Sequence, residues 1–518
     1  MSGRGDLPRR AVVAGGAAAA GIAAMAPLGR ARAVGSSLKA KAEGEGRVLP
    51  DRLFGFNSVV AYDVPHEDPA FIEAVKYLDP HWLRFPGGTV ANYFNWRSGQ
   101  LDVADIGAGA SVYRKYILSV GQPASRRLHP KGAFIEDFQK IADKLGANVV
   151  VVPNLETSTI DEQVAWFADM TSKGVVPHTV ELGSEFYIAL IMDAAALKIW
   201  PDYETSMKRM KAYYDAFEKH LPDDHKVSIQ AAASRFHHTY LAGGNALNER
   251  EWNWDSALKP EPWFDAVTTH LYTTFSAPAG PAAMKGLPGT YEAIYKAMLA
   301  RTDAGFTRHI KFLEEKLPGK EIWVTEWGGF DPQITFSNAP IKFDGAWLNM
   351  VARSLLVFLR HPTVTVTNYH ALFASGNLSS LFRRRPGGGY QPTTAASLFK
   401  WVDEASKGPG VRYRQLTVDG AARVDGKTTI EGESYEDVMG GLFEREASAV
   451  AIVQNAALEA KKLDVSGLMG GKAPVSAEAM GADDLRQSYE QELPPVKSLT
   501  ISPEIELPAH SIVRLAWS

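Results

Sequence analysis

The chain has 518 residues, 45% of them apolar and 22% charged. That is enough to bury a large core and too many for one domain of ordinary size. A net charge of −4 with no block of like charge argues against nucleic acid as a partner. Cysteine is absent, which excludes disulfides, thiolate metal sites and a cysteine nucleophile.

Residues 1–33 differ in kind from the rest. Arg9 and Arg10 precede an Ala- and Gly-rich stretch that ends in Ala31-Arg32-Ala33. A basic start, a weakly apolar middle and a small-x-small end predict a cleaved signal of the twin-arginine type, hence a secreted or periplasmic protein. The stretch is too rich in Ala and Gly for a good spanning helix, so no stable membrane anchor is expected after processing. Residues 34–50 are small, polar and Lys-rich and read as a linker, possibly joining a later β domain.

Eight short apolar runs follow: Leu53–Ser58, Trp82–Gly88, Asn148–Leu155, Thr179–Glu185, Lys226–Ala232, Ala266–Tyr272, Glu321–Trp327 and Val364–Leu372. Amphipathic stretches lie between them, near 68–78, 134–145, 160–173, 202–220, 290–316 and 344–360, with another near 393–405 after the last run. In the second of these, Phe134, Phe138, Ile141, Ala142 and Leu145 share one helical face. Eight strands alternating with helices predict a (β/α)8 TIM barrel, an α/β fold, over residues 51–408. A doubly wound sheet would show a Gly-rich phosphate loop after its first strand, and Gly55-Phe56-Asn57-Ser58 is not one. From about residue 409 to 518 the helical period fades into short alternating runs: Thr428-Thr-Ile-Glu-Gly, Ala449–Gln454, Ser498–Ile501 and Ser511–Trp517. They predict an all-β sandwich domain.

The barrel runs end in polar residues: Asn57, Arg84, Asn154, Glu185, His270, Glu326 and His370. In a barrel these ends converge on one face, where chemistry is done. Glu185 closes the fourth run and Glu326 the seventh. Facing carboxylates there suit glycosidic cleavage, one protonating the leaving oxygen while the other attacks the sugar from the opposite face. Strand alternation puts Glu181, Gly183 and Glu185 on one face, and His270 with Tyr272 on another. Tyr272 is placed to hydrogen-bond Glu326, and Arg84 to pair with Glu181 or with the nucleophile. Trp96, Trp252, Trp254, Trp263, Phe186, Tyr187 and Trp327 are candidate sugar-stacking faces. Phe236-His237-His238-Thr239-Tyr240 has poor metal-ligand spacing, so no metal is expected. Arg383-Arg384-Arg385 offers either a solvated loop or a site for an acidic glycan.

Glu-Leu-Gly-Ser-Glu-Phe-Tyr around Glu185 resembles the acid/base motif of clan A glycoside hydrolases. Val-Thr-Glu-Trp-Gly-Gly around Glu326 resembles their nucleophile motif. Leu83-Arg84-Phe85-Pro86-Gly87-Gly88, with Tyr93 and Trp96, is similar to the second-strand motif of arabinofuranosidases, and more loosely to that of heparanase-like glucuronidases. Asp265–Tyr272 and Leu507–Leu515 resemble their sixth strand and last β strand. The resemblance spans roughly residues 50–518. It implies a retaining, metal- and cofactor-free glycosidase with a carbohydrate substrate, Glu185 as acid/base and Glu326 as nucleophile. One position departs: the family's Asn before the acid/base, which bonds the sugar 2-hydroxyl, is Ser184 here. That leaves sugar and linkage open, together with two further readings, a non-catalytic glycan-binding protein and a transglycosylase.

Overall fold

The computed structural model describes residues 37–518 apart from 58–66, 104–110, 189–191, 193, 233–244, 275–290, 331–344, 374–379, 386, 428–431, 482–484, 486 and 488–492. The expected signal, the His237-His238 segment and most of the Thr428 run lie outside the described residues.

Eight parallel strands close into a barrel in sequence order. They are β1 (Phe54–Asn57), β2 (Trp82–Phe85), β3 (Asn148–Val151), β4 (Thr179–Glu181), β5 (Lys226–Gln230), β6 (Ala266–Thr274), β7 (Glu321–Phe330) and β8 (Val364–His370). Each matches one apolar run. The interior is filled, not hollow: Ala266, Trp323 and Val366 pack with Trp82 in a small inner cluster. At Gly55 a Cβ would stand 2.3 Å from Asn368 Oδ1 and 2.4 Å from Trp82 Cβ, so β1 approaches its neighbours only because that residue is glycine.

The helices carry their own start and stop signals. Asp68 caps Pro69–Lys76 by accepting from Ala70 N, and proline occupies the first turn. Ile135–Leu145 buries Ile135, Phe138, Ile141, Ala142 and Leu145 and ends at left-handed Gly146. Phe134 caps that helix instead of joining its face. Gly345–Arg360 is buried along nearly its whole length. One helix escaped the sequence pattern: Asn245–Ala257 has almost no amphipathic contrast and lies in the segment expected to be a Trp-bearing connection. Among the described residues no helix is long and apolar enough to cross a membrane.

The C-terminal strands form one ten-stranded mixed sheet. Leu38–Ala42 belongs to it, antiparallel to Arg412–Asp419 and parallel to Lys461–Asp464. Leu463, Ile505 and Leu507 from one end of the strand order share a core with Ala477, Leu515 and Trp517 from the other, so the sheet folds back on itself. Charged groups join sheet and barrel. Buried Glu433 takes Arg301 at 3.0 Å and Arg308 at 2.8 Å. Within the barrel Asp303 takes Arg353 at 2.8 Å, and Arg353 also donates across to Glu436 O at 2.9 Å.

Candidate active site

Arg84, fully buried at the inner end of β2, organises the centre of the site. Its Nε and one terminal nitrogen donate to the two oxygens of Glu181, each at 2.8 Å, and its other terminal nitrogen donates to Glu326 Oε1 at 2.5 Å. A planar guanidinium can hold two carboxylates in fixed directions in this way, and an ammonium cannot.

Glu326 reaches the interior because β7 is irregular. Val324 pairs with Thr269 and Glu326 with His270, leaving Thr325 as an extra, unpaired residue. The bulge breaks strict alternation. Thr325 points inward to Glu181 Oε1 at 3.2 Å, Glu326 points inward beside it, and Trp327 turns outward. Trp327 is therefore not a sugar platform. Its ring packs against Phe358, Tyr369 and Phe399 at centroid distances of 5.1, 5.0 and 5.6 Å, in the layer between barrel and helices.

Glu185 also departs from the alternation argument. β4 ends at Glu181, and the next four residues form a turn in which Gly183 has φ +78° and Glu185 φ +59°. A Cβ on residue 183 would stand 2.2 Å from the Phe186 ring, so glycine is required there. Asn92 Nδ2 donates to Ser184 O at 2.7 Å, and the Gln230 amide donates to Gly183 O. The left-handed conformation at Glu185, costly for a non-glycine residue, is held from both sides. Its carboxylate accepts from Thr89 Oγ1 at 2.7 Å and meets His270 Nδ1 at 2.8 Å.

The two carboxylates and His270 converge: one donor-type atom from each of Glu185, His270 and Glu326 lies within 4.8 Å of the others. Tyr272 donates to Glu326 Oε2 at 2.7 Å. His370 Nδ1 is 3.8 Å from the same oxygen and 2.5 Å from Asn57 Nδ2, so the Asn57 amide donates and His370 accepts at Nδ1. Gly88 leaves room for the nucleophile candidate, since a Cβ there would be 3.0 Å from Glu326 Oε1. Ser184 is buried, and its hydroxyl lies 3.4 Å from an Arg84 nitrogen, facing the barrel interior.

Burial alone would raise the Glu326 carboxyl. The charges of His270, His370 and Arg84 and the Tyr272 hydrogen bond outweigh it and hold the group well below the usual carboxylate range. Burial would likewise lower His270, but Glu326, Glu181 and Glu185 surround it and push it up to about 10. His370 goes the other way, lowered by burial with help from Arg84 and His270. Glu185, His270 and Glu326 have the spacing of a metal cluster. Of these ligand atoms, His270 Nδ1 is already paired with Glu185 Oε1, and Glu326 is tied to Arg84 and Tyr272.

Other expected residues lie elsewhere. Asn154 closes the turn after β3: its amide nitrogen donates to Phe94 O and Thr157 Oγ1, and its oxygen accepts from Thr157 N. Every polar group of that amide has a partner in its own turn or in the segment after β2, so Asn154 joins the scaffold and not the carboxylate cluster. Trp96 is covered by the Arg97 guanidinium, 4.3 Å above its ring. Both line a cavity of about 440 Å³ with Tyr93 and Arg114, whose described lining includes neither Glu185 nor Glu326. Trp254 is buried against Tyr187 and Tyr203, and Trp263 stacks on Tyr214. Arg383 and Arg384 lie on a two-stranded hairpin with Tyr390–Pro392. Thr89 was missed by the sequence reading, although it directly follows Gly87-Gly88 in the second-strand motif.

No family model matches the sequence, and no curated protein is similar to it by sequence. The likeness is in the fold. A family 51 α-L-arabinofuranosidase from Bifidobacterium longum superposes with a TM-score of 0.65 at 14% identity, over 93% of this chain and 99% of that one. The family 51 arabinofuranosidase from Xanthomonas axonopodis pv. citri gives 0.63 at 15% identity, over 93% and 100%. A 4-O-α-L-rhamnosyl-β-D-glucuronidase from Fusarium oxysporum 12S gives 0.58 at 13% identity, again over 93% and 100%. The chain shares the barrel-plus-β-sheet architecture of these glycoside hydrolases.

Proposed function

We propose that the protein is a retaining glycoside hydrolase acting on an oligosaccharide or polysaccharide, exported through residues 1–33. One observation carries this reading: the carboxylates of Glu185 and Glu326 face one another with oxygens within 4.8 Å. In retaining enzymes the carboxyl groups stand about 5–5.5 Å apart, whereas inverting enzymes need about 6.5–9.5 Å to admit a water. The environment of Glu326 supports the nucleophile's role for it. Glu326 is held ionised by Arg84 and Tyr272, as a nucleophile must be. Glu185 sits on the turn beyond β4, held by neutral Thr89 and by His270.

In the first step Glu185 gives its proton to the glycosidic oxygen while Glu326 Oε attacks the anomeric carbon. The C–O bond to the leaving group breaks and an ester to Glu326 forms. In the second step Glu185, now a carboxylate, takes a proton from water, which attacks the same carbon and releases Glu326. Arg84 stays fixed to Glu181 throughout, so Glu326 can lose its charge to the sugar without the guanidinium moving.

The fold neighbours motivate the substrates to try first, arabinosides and glucuronides, with xylosides, galactosides and acidic polysaccharides beside them. On any accepted glycoside, Glu326→Ala abolishes turnover, and azide restores it by forming a glycosyl azide of inverted configuration. Unchanged turnover in that variant ends the assignment.

A further inference from the structure

The seam where β8 meets β1 leaves one hydrogen-bond donor without a use in the mechanism. His370 ends β8 and pairs in register with Asn57 at the end of β1. Asn57 is fully buried. Its Oδ1 accepts from Gly88 N at 3.4 Å, and its Nδ2 lies 2.5 Å from His370 Nδ1. A backbone N–H can only donate, so Gly88 fixes which end of the amide is oxygen. The nitrogen end then faces the imidazole and donates to Nδ1. Burial lowers His370 from its ordinary value and so favours the neutral ring that can accept there. A ring that accepts at Nδ1 carries its one proton on Nε2.

That N–H has no hydrogen-bond partner among the described residues. It is not sealed away from water, and the side chain keeps 9% of its surface exposed. The ring also stands close to the nucleophile, with Nδ1 3.8 Å from Glu326 Oε2. Gly88 puts no side chain between them: a Cβ there would be 3.0 Å from Glu326 Oε1 and 3.5 Å from His370 Cε1. Tyr272 meets the imidazole edge-on, with ring centroids 6.1 Å apart, and bounds it on another side. In the closed barrel β8 lies opposite β4, beyond which Glu185 sits. The leaving group departs toward Glu185, so what lies beside His370 is the sugar that Glu326 attacks.

We propose that His370 sets specificity for that sugar by donating from Nε2 to one of its hydroxyl oxygens, and that Asn57 is the positioning residue that holds the ring in the donating tautomer. This rests on Glu326 being the nucleophile. A sugar that lacks the hydroxyl leaves the N–H unpaired in a closed site. Sites built to hydrogen-bond a hydroxyl reject the analogue without it for this reason. Asn57 acts through the ring, since its oxygen is held by Gly88 and its nitrogen faces His370.

Two measurements test this. The first is the tautomer of His370 in the free protein, read by nitrogen NMR of histidine-labelled wild type, with the His370→Gln spectrum assigning the signal. The proton is expected on Nε2, and Asn57→Leu, which cannot donate to Nδ1, moves part of it to Nδ1. A wild-type ring protonated on Nδ1, or a tautomer unchanged in Asn57→Leu, overturns the proposal. The second is kcat/KM for an aryl α-L-arabinofuranoside, an aryl β-D-glucuronide and the monodeoxy forms of each. In wild type the loss of one particular hydroxyl costs about tenfold or more. In His370→Phe the same loss costs less than about twofold, while the penalties at the other hydroxyls are unchanged. His370→Gln, which can still donate from its amide nitrogen, keeps the selective penalty. Equal penalties for every deoxy form in wild type and His370→Phe overturn the proposal and leave the glycosidase reading intact. Should His370→Phe not fold, the wild-type tautomer still decides. Absence of any glycoside hydrolysis overturns the reading on which the proposal rests.

Discussion

Arg84→Met tests the centre of the site by removing its charge while keeping much of its volume. Arg84 and Glu181 are fully buried and Glu326 nearly so, and three hydrogen bonds at 2.5 to 2.8 Å join them. Without the guanidinium, the two carboxylates keep only His270 as a shared cation, 3.8 Å from Glu181 and 3.6 Å from Glu326. Removing one partner of a buried ion pair costs about 3–5 kcal/mol, because the remaining charge is left uncompensated. The sign of the pH dependence follows from Glu326. Its carboxyl is depressed in the fold, so the stabilisation it contributes is fully present above the unfolded carboxylate value, about 4.3, and is lost progressively as pH falls from there through the depressed folded value. In the variant the folded carboxyls are no longer held ionised and take up a proton as pH falls, so it should lose most stability at pH 7 and less near pH 4. Calorimetric unfolding at both pH values measures this directly. The acid limb of kcat/KM should also move up, since Glu326 is no longer held ionised. Equal destabilisation at both pH values with an unmoved acid limb would refute the reasoning.

Tyr272→Phe removes one charge-assisted hydrogen bond of 2.7 Å to Glu326, worth about 1.5–3 kcal/mol. It should lower kcat roughly 10- to 100-fold with little change in KM, which steady-state kinetics will separate. Glu433→Gln leaves Arg301 and Arg308 without their counter-charge at the contact between barrel and sheet. Arg308 is partly exposed, so the destabilisation should be about 2–3 kcal/mol, less than for a fully buried pair. Calorimetry should show it, and kcat well below the unfolding temperature should stay unchanged.

Much of the barrel could be read from the sequence because parallel strands covered on both faces are near-continuous apolar runs, and their polar ends stand out. The same regularity misled where the chain leaves ideal geometry. Period-two alternation places Glu185 on β4, but the strand stops at Glu181 and left-handed residues carry Glu185 into the site. A one-residue bulge at Thr325 turns Trp327 away from the sugar side that its sequence neighbourhood suggested. Nothing local announces a bulge of that kind, since it depends on the register with β6. The alternation of β6 is unbroken from His270 to Tyr272, and there the sequence led to the right contacts. Asn154 and Trp96 show another limit. A polar or aromatic residue at a strand end is equally suited to closing its own loop, and only the coordinates reveal that their partners are Thr157 and Arg97. Helix Asn245–Ala257 was invisible for want of an apolar stripe.

The most direct test of the central claim is the stereochemistry of the first-formed product. Proton NMR of the anomeric signal, recorded within the first minutes of hydrolysis, distinguishes the two outcomes before mutarotation blurs them. Carboxylates within 4.8 Å predict a product with the anomeric configuration of the substrate. A first-formed product of inverted configuration would contradict the assignment of Glu326 as the nucleophile.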